Sequence, residues 1–261
     1  CEAPVRKAIP YVNKPVDINP SIPNYYASTF ASGGDYAAVV VKTREGRPIK
    51  IEGNPNCLIN QGGLSAQAQA AVLDLYDNSK LKGPLFKGAE QSWEDVDTHV
   101  KGELNKIQAS GKTIAIVSST INSPSTKAVI ADFTTQFPAT KHVVVDAVSY
   151  AGIIKANEAS FGKAVLPQYR FDKANVIVSF GADFLGTWIS PVQFTKQYTS
   201  NRGIKSLEEK RMSRHIQFET GMSLTGTNAD SRIAIKLSEE GPALLALYAA
   251  ITGTSLGNAS L

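Results

Sequence analysis

Cysteine and histidine are scarce in this chain. Its 261 residues hold two cysteines, Cys1 and Cys57, and three histidines, His99, His142 and His215. A thiolate cage for zinc or an iron–sulfur cluster takes about four ligands, so two cysteines build neither. A Cys1–Cys57 disulfide has no support in the sequence. The histidines show no H-x-x-x-H or His/Cys spacing and read as solvated or core-satisfied imidazoles on a helix, a strand start and a loop. No apolar run approaches the roughly 20 residues that a transmembrane helix needs. The net charge is only +4, and the basic residues form no aromatic-interleaved patch, which argues against nucleic-acid binding. Two nucleotide and hydrolase signatures are missing as well. Gly181-Ala182-Asp183-Phe184-Leu185-Gly186 is not a dinucleotide fingerprint, and no G-x-S-x-G elbow occurs.

What is present is ordinary globular material, 43% hydrophobic and 19% charged, enough to bury a sizeable core in one large or two small domains. Residues 1–34 carry Pro4, Pro10, Pro15, Pro20 and Pro23, which favours an extended arm outside the core. Ala37–Val41 and Pro48–Ile51 read as hairpin strands around a Glu45-Gly46 turn. A helical pattern then runs through Leu64, Ala68, Ala71, Val72, Leu75 and Tyr76. Ser92 is the expected N-cap of a second helix whose buried stripe is Trp93, Val96, Val100, Leu104 and Ile107. After Gly111 strands and helices alternate. The strands are 113–118, 142–146, 175–180 and 231–237, and the helices 124–137, 150–161, 191–198 and 243–251. Alternation of this kind predicts a doubly wound, mostly parallel α/β sheet behind a small α+β subdomain. Residues 200–212 are polar and read as a loop.

The first residue carries an expectation of its own. Cys1-Glu2-Ala3-Pro4 followed by a proline-rich tether is what signal-peptide cleavage leaves of a bacterial lipoprotein. Lipidation of Cys1 would then anchor the chain outside the cytoplasm, several acyl chains holding far better than one. The alternative is an arbitrary first residue.

In open α/β sheets ligands lie at the carboxyl ends of strands, which here directs attention to 118–125, 146–152 and 181–188. Ser118, Ser119, Thr120, Asn122 and Ser123 are of a type that binds phosphates, and equally of a type that caps helices. Ser149 fits as the N-cap of the following helix. Asp183 and Glu219 stand as isolated carboxylates, of the kind found in loops and at helix ends. No catalytic residue, cofactor-binding set or metal-ligand set emerges.

Gly46-Arg47-Pro48-Ile49-Lys50-Ile51-Glu52-Gly53-Asn54-Pro55, then Gly63-Leu64-Ser65-Ala66, Leu75-Tyr76-Asp77 and Leu81-Lys82-Gly83-Pro84-Leu85 resemble the N-terminal part of molybdopterin oxidoreductases. That family places a cysteine where this chain has Ser65, and three more where it has Tyr25 to Gly34. The stretches 174–188 and 212–226 narrow the resemblance to the molybdopterin-like iron–sulfur subunit of bacterial alternative complex III. Ser149-Tyr150-Ala151-Gly152 is similar to the family segment whose first residue can ligate molybdenum, which makes Ser149 the one position the resemblance marks for a metal.

The resemblance implies three parts: a Pro-rich arm and lipid tether over 1–34, a degenerate iron–sulfur-type subdomain without cluster ligands over 35–110, and a Rossmann-like α/β domain over 111–261, incomplete as it stands. It implies a cofactor-free scaffold within a respiratory quinol-oxidising complex, this segment itself being non-catalytic. Iron–sulfur clusters and haem c would sit elsewhere in that complex. Implied partners are a multihaem cytochrome c, quinol-binding membrane subunits and a terminal oxidase, at the periplasmic face of the bacterial inner membrane. Two other readings stand beside it: an active molybdenum oxidoreductase using Ser149, and a periplasmic solute-binding lipoprotein.

Overall fold

The hairpin around Glu45 and Gly46 is present in the computed structural model, which describes residues 12–13, 15–32, 35–204, 206–208 and 212–254. Cys1 and its expected lipid lie outside these residues. Glu45 and Gly46 both take positive φ, 52° and 78°, the combination that matches a two-residue turn to the twist of its strands. The turn joins β2 (Asp35–Arg44) to β3 (Arg47–Gly53), and β1 (Asn24–Ser32) pairs on the other side of β2. The last part of the proline-rich segment is therefore a strand, begun as soon as the chain passes Pro23.

Two compact units divide the chain. The first is built on residues up to 37 with 41–51 and 66–166, the second on 38–40, 52–65 and from 167 onward. In the first unit the helical pattern after Leu64 becomes α1 (Ala66–Ala70) and a 3₁₀ turn over Ala71–Tyr76, with Ala68 and Val72 buried. Short strands β4 (Leu85–Phe86) and β5 (Ala89–Glu90) pair antiparallel. Helix α2 (Trp93–Ala109) starts where Ser92 accepts a hydrogen bond from the Asp95 N–H. Its expected buried stripe is not realised: Trp93 is 69% exposed and Val100 47%, and no residue of the helix is fully buried. Strand β6 (Ile114–Ser118) and β7 (Thr140–Val144) pair in parallel, Val117 opposite Val143. Between them runs α3 (Pro124–Gln136), capped by Ser123 and opened by proline. Helix α4 (Ala151–Phe161) follows β7 and ends on Gly162 at φ 67°, a left-handed position that glycine fills without a Cβ penalty.

The second unit holds the denser core. Strands β8 (Val176–Phe180), β9 (Arg214–Glu219) and β10 (Ser231–Ala234) form a parallel sheet in the order β10-β9-β8. Helix α5 (Pro191–Ser200) joins β8 to β9, α6 (Leu224–Thr227) leads toward β10, and α7 (Glu240–Thr252) follows. Ile177, Phe184, Leu185, Phe194 and Tyr198 make the buried cluster, edged by Tyr169, Phe171 and Trp188. Phe171 stacks on Phe184 at 4.3 Å between ring centroids, a contact that adds to plain area burial.

Parallel strands are thus as expected; among the described residues they fall into two sheets, β6-β7 and β10-β9-β8, and a doubly wound sheet is not shown. Doubly wound sheets reverse strand order at a switch point, whereas β8, β9 and β10 follow one another to the same side. Strand β9 is absent from the sequence expectation, which has His215 in a loop, as are the shorter elements β4, β5 and α6.

Candidate functional site

The most highly organised polar cluster lies in the second unit, at the carboxyl ends of β8 and β9. Phe180 and Phe218 are paired neighbours there, their rings stacked at 4.7 Å. Gly181 then turns at φ 62°, and its N–H donates to the Phe218 carbonyl at 2.8 Å. This turn delivers Asp183. Its Oδ1 accepts from the Thr225 N–H at 3.0 Å and the Thr225 hydroxyl at 2.8 Å, and its Oδ2 from the Thr187 hydroxyl at 3.1 Å. The Thr225 hydroxyl oxygen in turn accepts from the Leu185 N–H at 2.9 Å. Asp183 therefore ties the loop after β8 to α6.

Glu219 does the same for β9. Its Oε1 accepts from Arg232 Nε at 2.5 Å and from the Ser223 N–H at 3.2 Å. Its Oε2 accepts from the Ser223 hydroxyl at 2.6 Å and from Gln217 Nε2 at 3.4 Å. Burial acts to raise this carboxyl's pKa, but the bonds from Ser223 and Arg232 outweigh it and hold the group below its ordinary value. At neutral pH Glu219 is a carboxylate.

The opposite end of β9 has its own ion pair. Arg202 donates to both oxygens of Asp230, at 2.9 and 2.6 Å, and its guanidinium lies 4.9 Å from the centre of the Tyr198 ring. Asp230 Oδ2 also accepts from the His215 N–H at 2.7 Å. The Arg202 bonds, ahead of the one from His215, hold the Asp230 carboxyl down to about 2. Between the two ends, His215, Gln217 and Glu219 alternate along one face of β9, all buried. Asp183 and Glu219 are thus no isolated loop carboxylates, as the sequence alone suggested.

In the first unit the loops after β6 and β7 are joined through Asp146. It accepts from the Thr120 N–H at 2.7 Å and the Thr120 hydroxyl at 2.5 Å, and these bonds lower its pKa. Ser118 bonds His142 Nε2 at 2.8 Å, and Ser123 caps α3. Of the hydroxyls in that loop, the one on Thr120 faces a carboxylate.

Ser149 is exposed, and its Oγ accepts from the Ala151 N–H at 3.2 Å. The residue in the N-cap position of α4 is Tyr150, so Ser149 braces the helix entry from one place further back. Cys57 is a free thiol. Among the described residues no group of three or more His, Cys, Asp or Glu side chains is placed to hold a metal ion. His99 packs its ring edge-on to Phe86 at 4.7 Å.

Two grooves remain. One, of about 510 Å³ in the first unit, is lined by Arg44, Arg47, Ile49, Val72, Leu73 and Tyr76. The other, of about 220 Å³ in the second, is lined chiefly by Gln61, Gln168, Gln193 and Gln197 with Arg170 and Asp172. Neither is lined by a cysteine, a histidine or Ser149. An anionic, pyrophosphate-bearing pterin needs uncommitted donors at strand ends. Here Thr120, Thr225, Ser223 and Arg232 are committed to Asp146, Asp183 and Glu219, and the residues at these strand ends do not fit such a group.

No protein-family model matches the chain. Over 155 residues it is 25% identical to a curated protein, the menaquinone reductase, molybdopterin-binding-like subunit of Nitratidesulfovibrio vulgaris (strain Hildenborough). The chain is similar to a molybdopterin-binding-like subunit. The match takes in 58% of this chain and 22% of the relative, so the chain spans about a fifth of the length of the protein it matches. This agrees with the resemblance carried by residues 46–85 at the level of a molybdopterin-like family.

Proposed function

We propose that this chain is a cofactor-free, molybdopterin-oxidoreductase-like scaffold within a membrane-associated complex that exchanges electrons with a quinone pool. The supporting observation is the commitment of the strand-end donors. Asp183, Glu219 and Asp146 engage the hydroxyl, amide and guanidinium groups on which a pterin's phosphates would depend. Ser65, standing where the resembling family has a cysteine, supports the same reading for the iron–sulfur cluster. The name of the relative, a menaquinone reductase subunit, supports a quinone-linked assembly.

Within this reading the assembly is of the alternative complex III type and oxidises quinol. Its iron–sulfur clusters and c-type haems belong to other parts, and membrane subunits hold the quinol. The chain itself is held at the periplasmic face by lipid on Cys1. Electrons pass beside this segment and not through it.

The test is the iron, molybdenum and pterin content of the intact parent assembly, with each signal mapped to its polypeptide. Iron in the assembly with no molybdenum or pterin on this chain is the expected result. Stoichiometric molybdenum with pterin here would replace the scaffold by an active molybdenum enzyme. Mass spectrometry of the N-terminal peptide tests the anchor separately: an unmodified Cys1 would remove it.

A further inference from the structure

The buried line on β9 fixes where its protons sit. Glu219 is ionised, with Arg232 and Ser223 donating to it, so the amide that approaches Oε2 at 3.4 Å must be the NH₂ of Gln217. The carbonyl end of the same amide then faces His215 Nε2 at 3.2 Å, and Nε2 must carry a proton to meet it. One carboxylate therefore sets the amide, and the amide sets the tautomer of the histidine.

The other imidazole nitrogen meets Tyr198. The Tyr198 hydroxyl lies 3.1 Å from His215 Nδ1 and 2.9 Å from the Asn228 carbonyl. It has one proton and two acceptors in reach. With His215 neutral, Nδ1 is a bare lone pair and takes the tyrosine proton. With His215 protonated, Nδ1–H donates to the tyrosine oxygen, and the tyrosine proton turns to Asn228. The change turns one hydroxyl proton and moves no heavy atom: the Asn228 carbonyl goes without the tyrosine proton when His215 is neutral and receives it when His215 is protonated.

We propose that Tyr198 is a proton-state relay, which hands its hydroxyl proton from His215 to the Asn228 carbonyl when His215 is protonated. Asn228 is the C-cap of α6, whose first turn carries the Thr225 that binds Asp183. Protonation of His215 is thereby coupled to the cap of the helix that holds the loop after β8.

The charged groups facing His215 are Arg202 after α5, Asp230 before β10 and Glu219 on β9 itself, with Tyr198 on α5. Burial lowers the His215 pKa, as its first cause, and Arg202 lowers it further; Gln217, Asp230 and Glu219 act the other way. The neutral form accordingly holds at neutral pH and the hydroxyl turns in the acid range. A buried imidazole whose pKa is lower folded than unfolded stabilises the fold above its unfolded pKa, and that contribution is lost as pH falls.

The experiment is magnetic resonance on the full chain labelled at His, Tyr and Asn, with His215 assigned by loss of its signals in His215→Gln. The expected result is an Nε2–H tautomer near neutral pH. On acidification the Asn228 carbonyl signal should shift with the same midpoint as the imidazole. Tyr198→Phe should abolish the Asn228 shift while His215 still titrates. An Nδ1–H tautomer near neutral pH, an Asn228 carbonyl that stays still while His215 titrates, or no titration of His215 before acid unfolding would each overturn the relay.

Discussion

The carboxylate of Glu219 fills the space that a side chain on Gly226 would need: a Cβ built on Gly226 would overlap Glu219 Oε1. Gly226 is buried in α6, and its N–H donates to the Ser223 hydroxyl oxygen at 3.0 Å. Glu219 cannot retreat without losing Arg232 or Ser223. Gly226→Ala is therefore expected to destabilise the fold by roughly 1–3 kcal/mol. The measurement is the urea midpoint at unchanged m-value. A neutral outcome would mean that the carboxylate has a second resting place.

Asp230 makes acid stability predictable in sign. Its folded pKa of about 2 lies below the ordinary 3.8, so its contribution is complete above the unfolded value and disappears as pH falls from there toward the folded one. Arg202 and Asp230 are 14% and 29% exposed, and partial screening leaves the pair on the order of 1–2 kcal/mol. Asp230→Asn should lower stability by that amount at neutral pH and flatten its decline in acid. Equal slopes for the two proteins, in melts taken across that range, would assign the acid sensitivity elsewhere.

Ser149 separates the scaffold from an active enzyme. It is exposed and braces α4 through a single bond to the Ala151 N–H. Ser149→Ala should change stability by no more than about 0.5 kcal/mol, and, under the proposed function, leave the metal content and quinol turnover of the parent assembly unchanged. Turnover and elemental analysis of the variant assembly decide it. A loss of molybdenum together with activity would give Ser149 to the metal.

Sequence reading located most helices and the parallel strands because each has a strong local signal. Ser92 and Ser123 cap their helices, Glu45-Gly46 makes its turn, and Ile114 to Ser118 is a continuous apolar run. It failed at β9 for a physical reason. His215 to Glu219 alternates strictly between polar and apolar, but the polar set His215, Gln217 and Glu219 is the more deeply buried one. A half-buried strand shows the reverse. Strand β9 is central, with neighbours on both sides, and its polar face is satisfied by residues far away in sequence, Tyr198 and Arg232. Five residues of alternation, His215 to Glu219, were the available signal. The α2 stripe failed in the opposite direction: periodicity marks an apolar face, but coverage of that face depends on what is brought against it.

The β6–β7 pair bears on how the protein must be handled. Val117 is 69% exposed and its partner Val143 45%, and among the described residues neither strand is joined to a third. Unpaired backbone beside bare valine is a template for strand-to-strand growth. Concentrated preparations of the chain by itself should scatter light and lose material on standing, whereas the same ribbon inside its assembly should stay in solution.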